Sequence, residues 1–240
     1  MATRFRQTVK MALGILASGS LLVECVFPQT SANEIFFGKI DTNLTPYGYV
    51  STDHLWPHGI VEVCWENGDD TNRDARLTAE SAVENSWQRV AKITFRGWKS
   101  CVTGFQGIRI RIIDDGGNPT SLIGTRLDKI SNGMQLNLTF KRWYPDICGA
   151  RVDECIKVET MHEFGHALGL IHENIRSDAP QKCKDRYNAD GRDIPPGDAD
   201  TKGTDYDPDS IMNYCHLIYQ HAAMLSKNDE KVAILLYGAR

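Results

Sequence analysis

The sequence predicts an α+β fold in which a mixed sheet is crossed by helices and followed by a long irregular stretch. Three observations carry this. IVEVCWE (60–66), GIRIRIID (107–114) and GMQLNLTF (133–140) alternate apolar and polar residues, the period of half-buried strands. Residues 75–93 place Leu77, Ala82, Trp87, Val90 and Ala91 near helical spacing, and a second helix is expected from Glu154 to Leu170. Residues 177–209 are rich in Asp, Gly and Pro with little periodicity, and such stretches tend to carry function or stay irregular. KNDEKVAILLYG then closes the chain as a short helix.

The amino terminus reads differently. Arg4, Arg6 and Lys10 precede the apolar run MALGILASGSLLVECVF, which is the order of a secretory signal. Residues 1–32 are therefore assigned to a signal, with cleavage after Gly19 or after Ala32. The run is too short and broken for a membrane span, so no stable membrane association is expected once it is removed. Residues 33–52 carry turn residues and little periodicity, as a pro-segment or extended arm would. At 240 residues the chain is long enough for one sizeable domain, or for two small ones sharing a cleft. A net charge of -4 is too small to argue for or against any partner, but no long basic run appears, which makes nucleic acid a poor guess. Localisation should be secreted or extracytoplasmic, and the chain monomeric.

Export makes sense of the cysteines. Beyond Cys25 there are six, Cys64, Cys101, Cys148, Cys155, Cys183 and Cys215, an even number suited to structural disulfides. Six cysteines can pair in 15 ways and their spacing does not choose. No CxxC occurs, which weakens a redox or zinc-ribbon reading.

The chemistry concentrates in HEFGHALGLIHE (162–173). Residues four apart share a helix face, so His162 and His166 can aim at one point, as two zinc ligands must. Glu163 lies beside the first ligand and can hold a water. His172 becomes a third ligand only if the chain leaves the helix, and Gly169 supplies the residue able to turn it back.

That run resembles the long zinc-binding motif of the metzincin metalloproteases, and Glu173-Asn174-Ile175-Arg176-Ser177-Asp178 after it is similar to the astacin family within that clan. Ser210-Ile211-Met212-Asn213-Tyr214 resembles the astacin Met-turn. Weaker likenesses are LWP at 55–57 to the start of a first strand, and Ser121-Leu122-Ile123-Gly124 followed by GMQLNL to a cleft-rim strand. Leu225-Ser226 with Asp229 and Leu236-Tyr237 resembles the closing helix. The resemblance covers about residues 53–240.

It implies a two-lobed catalytic domain. The upper lobe, 53–172, would hold a twisted, mostly parallel five-stranded sheet with one antiparallel edge and two helices. The lower lobe, 173–240, would be largely irregular with a carboxy-terminal helix. The resemblance further implies one catalytic zinc ion, Glu163 as general base, and Met212 as an apolar floor under the histidines. Tyr214 would ligate zinc at rest and hydrogen-bond the oxyanion during reaction. Glu173 would receive the new amino terminus of a processed zymogen. An extended protein or peptide substrate would pair with the rim strand around 133–138.

Latency has two candidates: Cys25, a thiolate ligand, and Asp41, whose Phe-Phe-Gly-Lys-Ile-Asp context breaks the family's FxGD spacing. Asn43 and Asn137 head acceptor sequons. From Cys215 to Ser226 there is no Lys or Arg, only His216 and His221, which departs from a basic reader of acidic substrates. Two other readings are a peptidase of another metzincin family and a non-catalytic peptide-binding module on the same fold.

Overall fold

The computed structural model describes residues 50–115, 122–189 and 205–240. Cys25, Asp41, the sequon at Asn43 and both signal-cleavage positions lie outside the described residues.

Four strands form the sheet: β1 (Ile60–Trp65), β2 (Thr94–Ser100), β3 (Ile108–Ile112) and β4 (Met134–Leu136). Their order is β2-β1-β3-β4, and every pairing is parallel. The described residues supply four strands where five are expected. No antiparallel edge strand occurs in the sheet among the described residues. β2 was not expected, and its sequence explains why. In TFRGWKS the alternation fails at a bulge between Val63–Gly97 and Cys64–Lys99, which leaves Trp98 as the extra residue. Trp98 takes a positive φ of 52° there and turns into the core.

Around the sheet lie α1 (Arg73–Glu84), α2 (Trp87–Val90), α3 (Pro145–Cys148) and the long α4 (Val152–Ala167). The single helix expected over 75–93 is thus broken at Asn85-Ser86, where the Ser86 hydroxyl donates to the Ala82 carbonyl. The break frees Trp87 to enter the core, where its Nε1 donates to the Met161 carbonyl at 2.8 Å. Leu77 is not a core residue, being 51% exposed; Ala79, Ala82 and Val83 form the buried face instead.

The core lies between sheet and α4. Phe164 meets Phe95 edge-on at 4.8 Å and stacks on Trp98 at 5.4 Å, and Trp98 in turn contacts Trp65 at 5.9 Å. Each such ring removes about 150–250 Å² from water, or about 4–6 kcal/mol before entropy is subtracted.

Among the described residues after 170, α5 (Gln181–Ala189) is an unforeseen helix within the stretch expected to be irregular, and α6 (Lys227–Tyr237) is the closing one. Ser226 caps α6 by accepting from the Asp229 amide, and Asp229 accepts from the Ser226 amide in return. No helix among the described residues is long and apolar enough to cross a membrane.

The cysteines pair as Cys64–Cys101, Cys148–Cys155 and Cys183–Cys215. The first joins β1 to the end of β2, the second α3 to α4, and the third α5 to the residue after Tyr214. LWP is not a strand start, since β1 begins at Ile60. Trp56 Nε1 instead donates to the Ala167 carbonyl at 2.8 Å, and the Tyr237 hydroxyl donates to Leu168 at 3.0 Å. Both fill carbonyls that a helix end leaves open. Asn137 is 5% exposed, accepts from the Thr139 and Phe140 amides and donates to Asp114, so its sequon offers no room for a glycan.

Candidate metal centre

Every residue of α4 from Val158 to Ala167 is buried, including His162, Glu163 and His166. A helix with apolar surroundings on all sides ordinarily excludes such groups. Both histidine rings find defined partners there.

The helix stops in a Schellman motif. The Gly169 amide donates to the His166 carbonyl at 3.0 Å, and the Leu170 amide donates to the Gly165 carbonyl at 3.0 Å. Gly169 has φ +103°, and a Cβ there would crowd Leu55 and the Ser51 carbonyl. The turned chain is held by Val50 and Ser51: Val50 bridges Leu170, and the Ser51 amide donates to the Gly169 carbonyl at 2.9 Å. His172 then follows in extended conformation and reaches back to the helix.

The three imidazoles converge. His162 Nε2 lies 3.1 Å from His172 Nε2, and His166 Nε2 lies 2.9 Å from it. His162 Nδ1 is 2.8 Å from the Ile211 carbonyl, and His166 Nδ1 is 2.9 Å from the Leu170 carbonyl. Carbonyls only accept, so both Nδ1 atoms carry the proton and both Nε2 atoms present lone pairs. One proton on His172 could satisfy only one of the two contacts. A cation among the three satisfies all of them. In a tetrahedral zinc site with Zn–N of about 2.0–2.1 Å, the nitrogens stand about 3.3 Å apart, close to what is found. Burial pushes His166 down to about 4, which suits a neutral ligand. Among the described residues this is the one His, Cys, Asp and Glu group able to hold a metal. The donor set therefore fits zinc, with carbonyls behind the ligands fixing ring orientation.

The Tyr214 ring packs edge-on against His162 at 4.8 Å and His172 at 4.7 Å. Its amide donates to Asn174 Oδ1 at 3.0 Å. Met212 is buried against α4, so close that a Cβ on Gly165 would collide with its sulfur. Glu173 is also buried: it accepts from the Asp207 amide at 2.9 Å and faces Arg176 at 3.3 Å. Burial pushes its carboxyl up to about 7, partly offset by that amide and by Arg176.

Residues 151–233 match the family model described as Astacin (peptidase family M12A). Over that span the chain is similar to the astacin family. Among solved structures, myroilysin superposes with a TM-score of 0.56 at 22% identity, covering 79% of this chain and 98% of that one. That likeness speaks for the fold. High choriolytic enzyme 1, a hatching enzyme zinc-protease from Oryzias latipes (Medaka fish), matches at 19% identity and a TM-score of 0.47, covering 79% and 97%. A comparison with curated proteins found no match. Astacins are zinc metalloproteases, and the three-histidine cluster lies inside the matched segment.

Asp229 of the closing-helix likeness and Asn213 of the Met-turn block act behind the site. Asp229 accepts from the Ile211 amide at 2.9 Å and the Ser210 hydroxyl at 2.7 Å, and the Ser210 hydroxyl accepts from the Met212 amide at 3.1 Å. It thereby fixes the peptide whose carbonyl orients His162. Asn213 donates to Tyr206 and to the Asp207 carbonyl. Asp207 accepts from the Asp209 amide at 3.0 Å and from the Ser226 hydroxyl at 2.7 Å.

Proposed function

We propose that the chain is a secreted zinc-dependent endopeptidase that cleaves extended protein or peptide substrates. The observation that carries this reading is the convergence of three Nε2 atoms, two of them held as lone-pair donors by backbone carbonyls. His162, His166 and His172 would hold the zinc, with Tyr214 beside them as an additional ligand at rest. Zinc bound there supplies Lewis acidity toward water and the scissile carbonyl.

The protein's own groups do the rest. Glu163 takes the proton of the attacking water as general base and returns it to the leaving amine as general acid. The Tyr214 hydroxyl donates to the oxygen that becomes anionic. β4 is an edge strand of the sheet among the described residues, and an extended substrate would pair with it. Met212 supports the histidine rings from below, and Glu173 awaits the amino terminus that processing creates. Three disulfides suit an oxidising, exported setting.

The test is hydrolysis of an unstructured protein by the purified mature chain with and without a chelator. Glu163→Gln should lose about 10²–10⁴ in kcat while binding zinc as well as wild type by metal analysis. Turnover close to wild type would remove Glu163 from its role.

A further inference from the structure

One buried carboxyl on α4 has no part in the mechanism above. Glu159 lies three residues before His162 and four before Glu163, hence one helical turn back on nearly the same face as Glu163. It is 9% exposed. Its Oε1 accepts from the Asn137 amide at 2.6 Å, and its Oε2 accepts from the Tyr219 hydroxyl at 2.8 Å.

Those two donors come from segments far apart in the chain. Asn137 directly follows β4, and its side chain locks the next turn through Asp114, which also collects Thr139 and the amides of Lys141 and Trp143. Tyr219 lies five residues past Tyr214, in the 3-10 turn Ile218–Gln220. Its ring meets Phe140 at 5.3 Å and Tyr144 at 5.2 Å. A single side chain thus joins the end of the substrate-pairing strand, the segment beyond the Met-turn and the helix bearing the catalytic glutamate. An apolar residue would fill the same space without the cost of burying a carboxyl, but it could hold neither donor.

We infer that Glu159 is a positioning residue for peptide hydrolysis: it sets the spacing between β4 and Tyr219 beneath Glu163, so that a substrate paired on β4 is presented in register. The inference rests on the endopeptidase reading above. It assigns Glu159 no contact with the substrate or the reacting atoms.

The test uses the mature full-length chain with Glu159→Met, Glu159→Gln and Tyr219→Phe. Two quenched-fluorescent peptides serve as probes: one extends on both sides of the scissile bond, and one lacks the residues that pair with β4. Glu159→Met should raise KM for the long peptide about tenfold, with kcat falling less than about threefold, and leave the short peptide nearly unaffected. Glu159→Gln can still accept from Asn137 and donate to the Tyr219 oxygen, so it should recover most of the loss. Tyr219→Phe should fall between the two, and it carries the test if Glu159→Met does not fold. Equal loss of kcat on both peptides, or no change in KM, overturns the inference.

Hydrogen exchange read by mass spectrometry gives a result independent of turnover. Glu159→Met should speed exchange in both 137–140 and 218–221, while 162–166 stays protected. Unchanged exchange in either segment overturns the coupling. A wild-type chain that cleaves neither peptide defeats the endopeptidase reading instead, and the exchange result still decides whether Glu159 joins the two walls.

Discussion

The two parts of the molecule that meet at the three-histidine cluster are held together by different forces. The sheet and α4 rely on aromatic and aliphatic packing, with Phe95, Trp98 and Phe164 in mutual contact. The stretch from Asp205 to Tyr237 relies on side chains that bond backbone: Asp229 to Ile211, Asn213 to Asp207, Asn174 to Tyr214. The first part places two ligands by helix geometry. The second places the carbonyl that orients one of them. Packing energy is spread over many atoms, whereas a hydrogen-bonded turn depends on a few groups, so a small change in the second part should reach the metal more directly.

The comparison can be broken from the packed side first. Phe164→Ala empties the centre of the aromatic cluster and should cost about 3–5 kcal/mol in denaturant unfolding. Zinc affinity, measured under conditions where the variant is still folded, should change less than tenfold. A larger change would mean that packing also sets ligand geometry.

Asp229→Ala attacks the other side. It strips the acceptor from the Ile211 and Ser226 amides and the Ser210 hydroxyl, and should cost about 2–4 kcal/mol. Because the Ile211 carbonyl loses its anchor behind His162, zinc affinity by competitive chelation should drop about 10–100-fold. Wild-type affinity in that variant would erase the contrast between the two parts.

A pH series sharpens it. Burial pushes the Glu159 carboxyl up from 4.5 to about 7, with the Asn137 amide and Tyr219 hydroxyl only partly offsetting it. A raised carboxyl contributes stability that is full below about 4.5 and is lost as pH climbs through about 7. Glu159→Gln lacks that titration, so relative to wild type it should gain about 2–3 kcal/mol between pH 5 and pH 8, an upper bound from the size of the shift. Thermal unfolding at the two pH values reads it. A constant difference would show that Glu159 does not titrate there.

The smallest effect belongs to a residue whose spacing misleads. Leu77→Ala should change stability by less than about 0.5 kcal/mol, since the side chain is half exposed on α1. A core-sized loss would restore the periodic reading of 75–93.

Much of the site was legible because its elements are local. Histidines four apart on one helix, a glycine able to take positive φ, and a third histidine within reach are all set by short-range geometry. The three alternating strands were legible for the same reason, since a two-residue period survives without knowledge of neighbours. β2 was hidden because the bulge at Trp98 breaks that period, and α5 because a polar surface helix has no apolar stripe. GMQLNLTF yielded a ladder only over Met134–Leu136, because the Asn137 side chain and the positive φ of Phe140 turn the rest away.

By itself, then, the sequence determined the histidine and glutamate constellation, the turn that completes it, and an α+β arrangement with an irregular second half, all consequences of residues close in the chain. Tertiary structure alone decided which cysteines pair, that Asn137 is buried, that Leu77 faces outward, and that Asp229 and Glu159 stand behind the site. Those depend on groups such as Asn137, Glu159 and Tyr219, separated by 22 and 60 positions. Only the folded backbone brings their hydrogen-bonding atoms within 3 Å, and no local pattern encodes that distance.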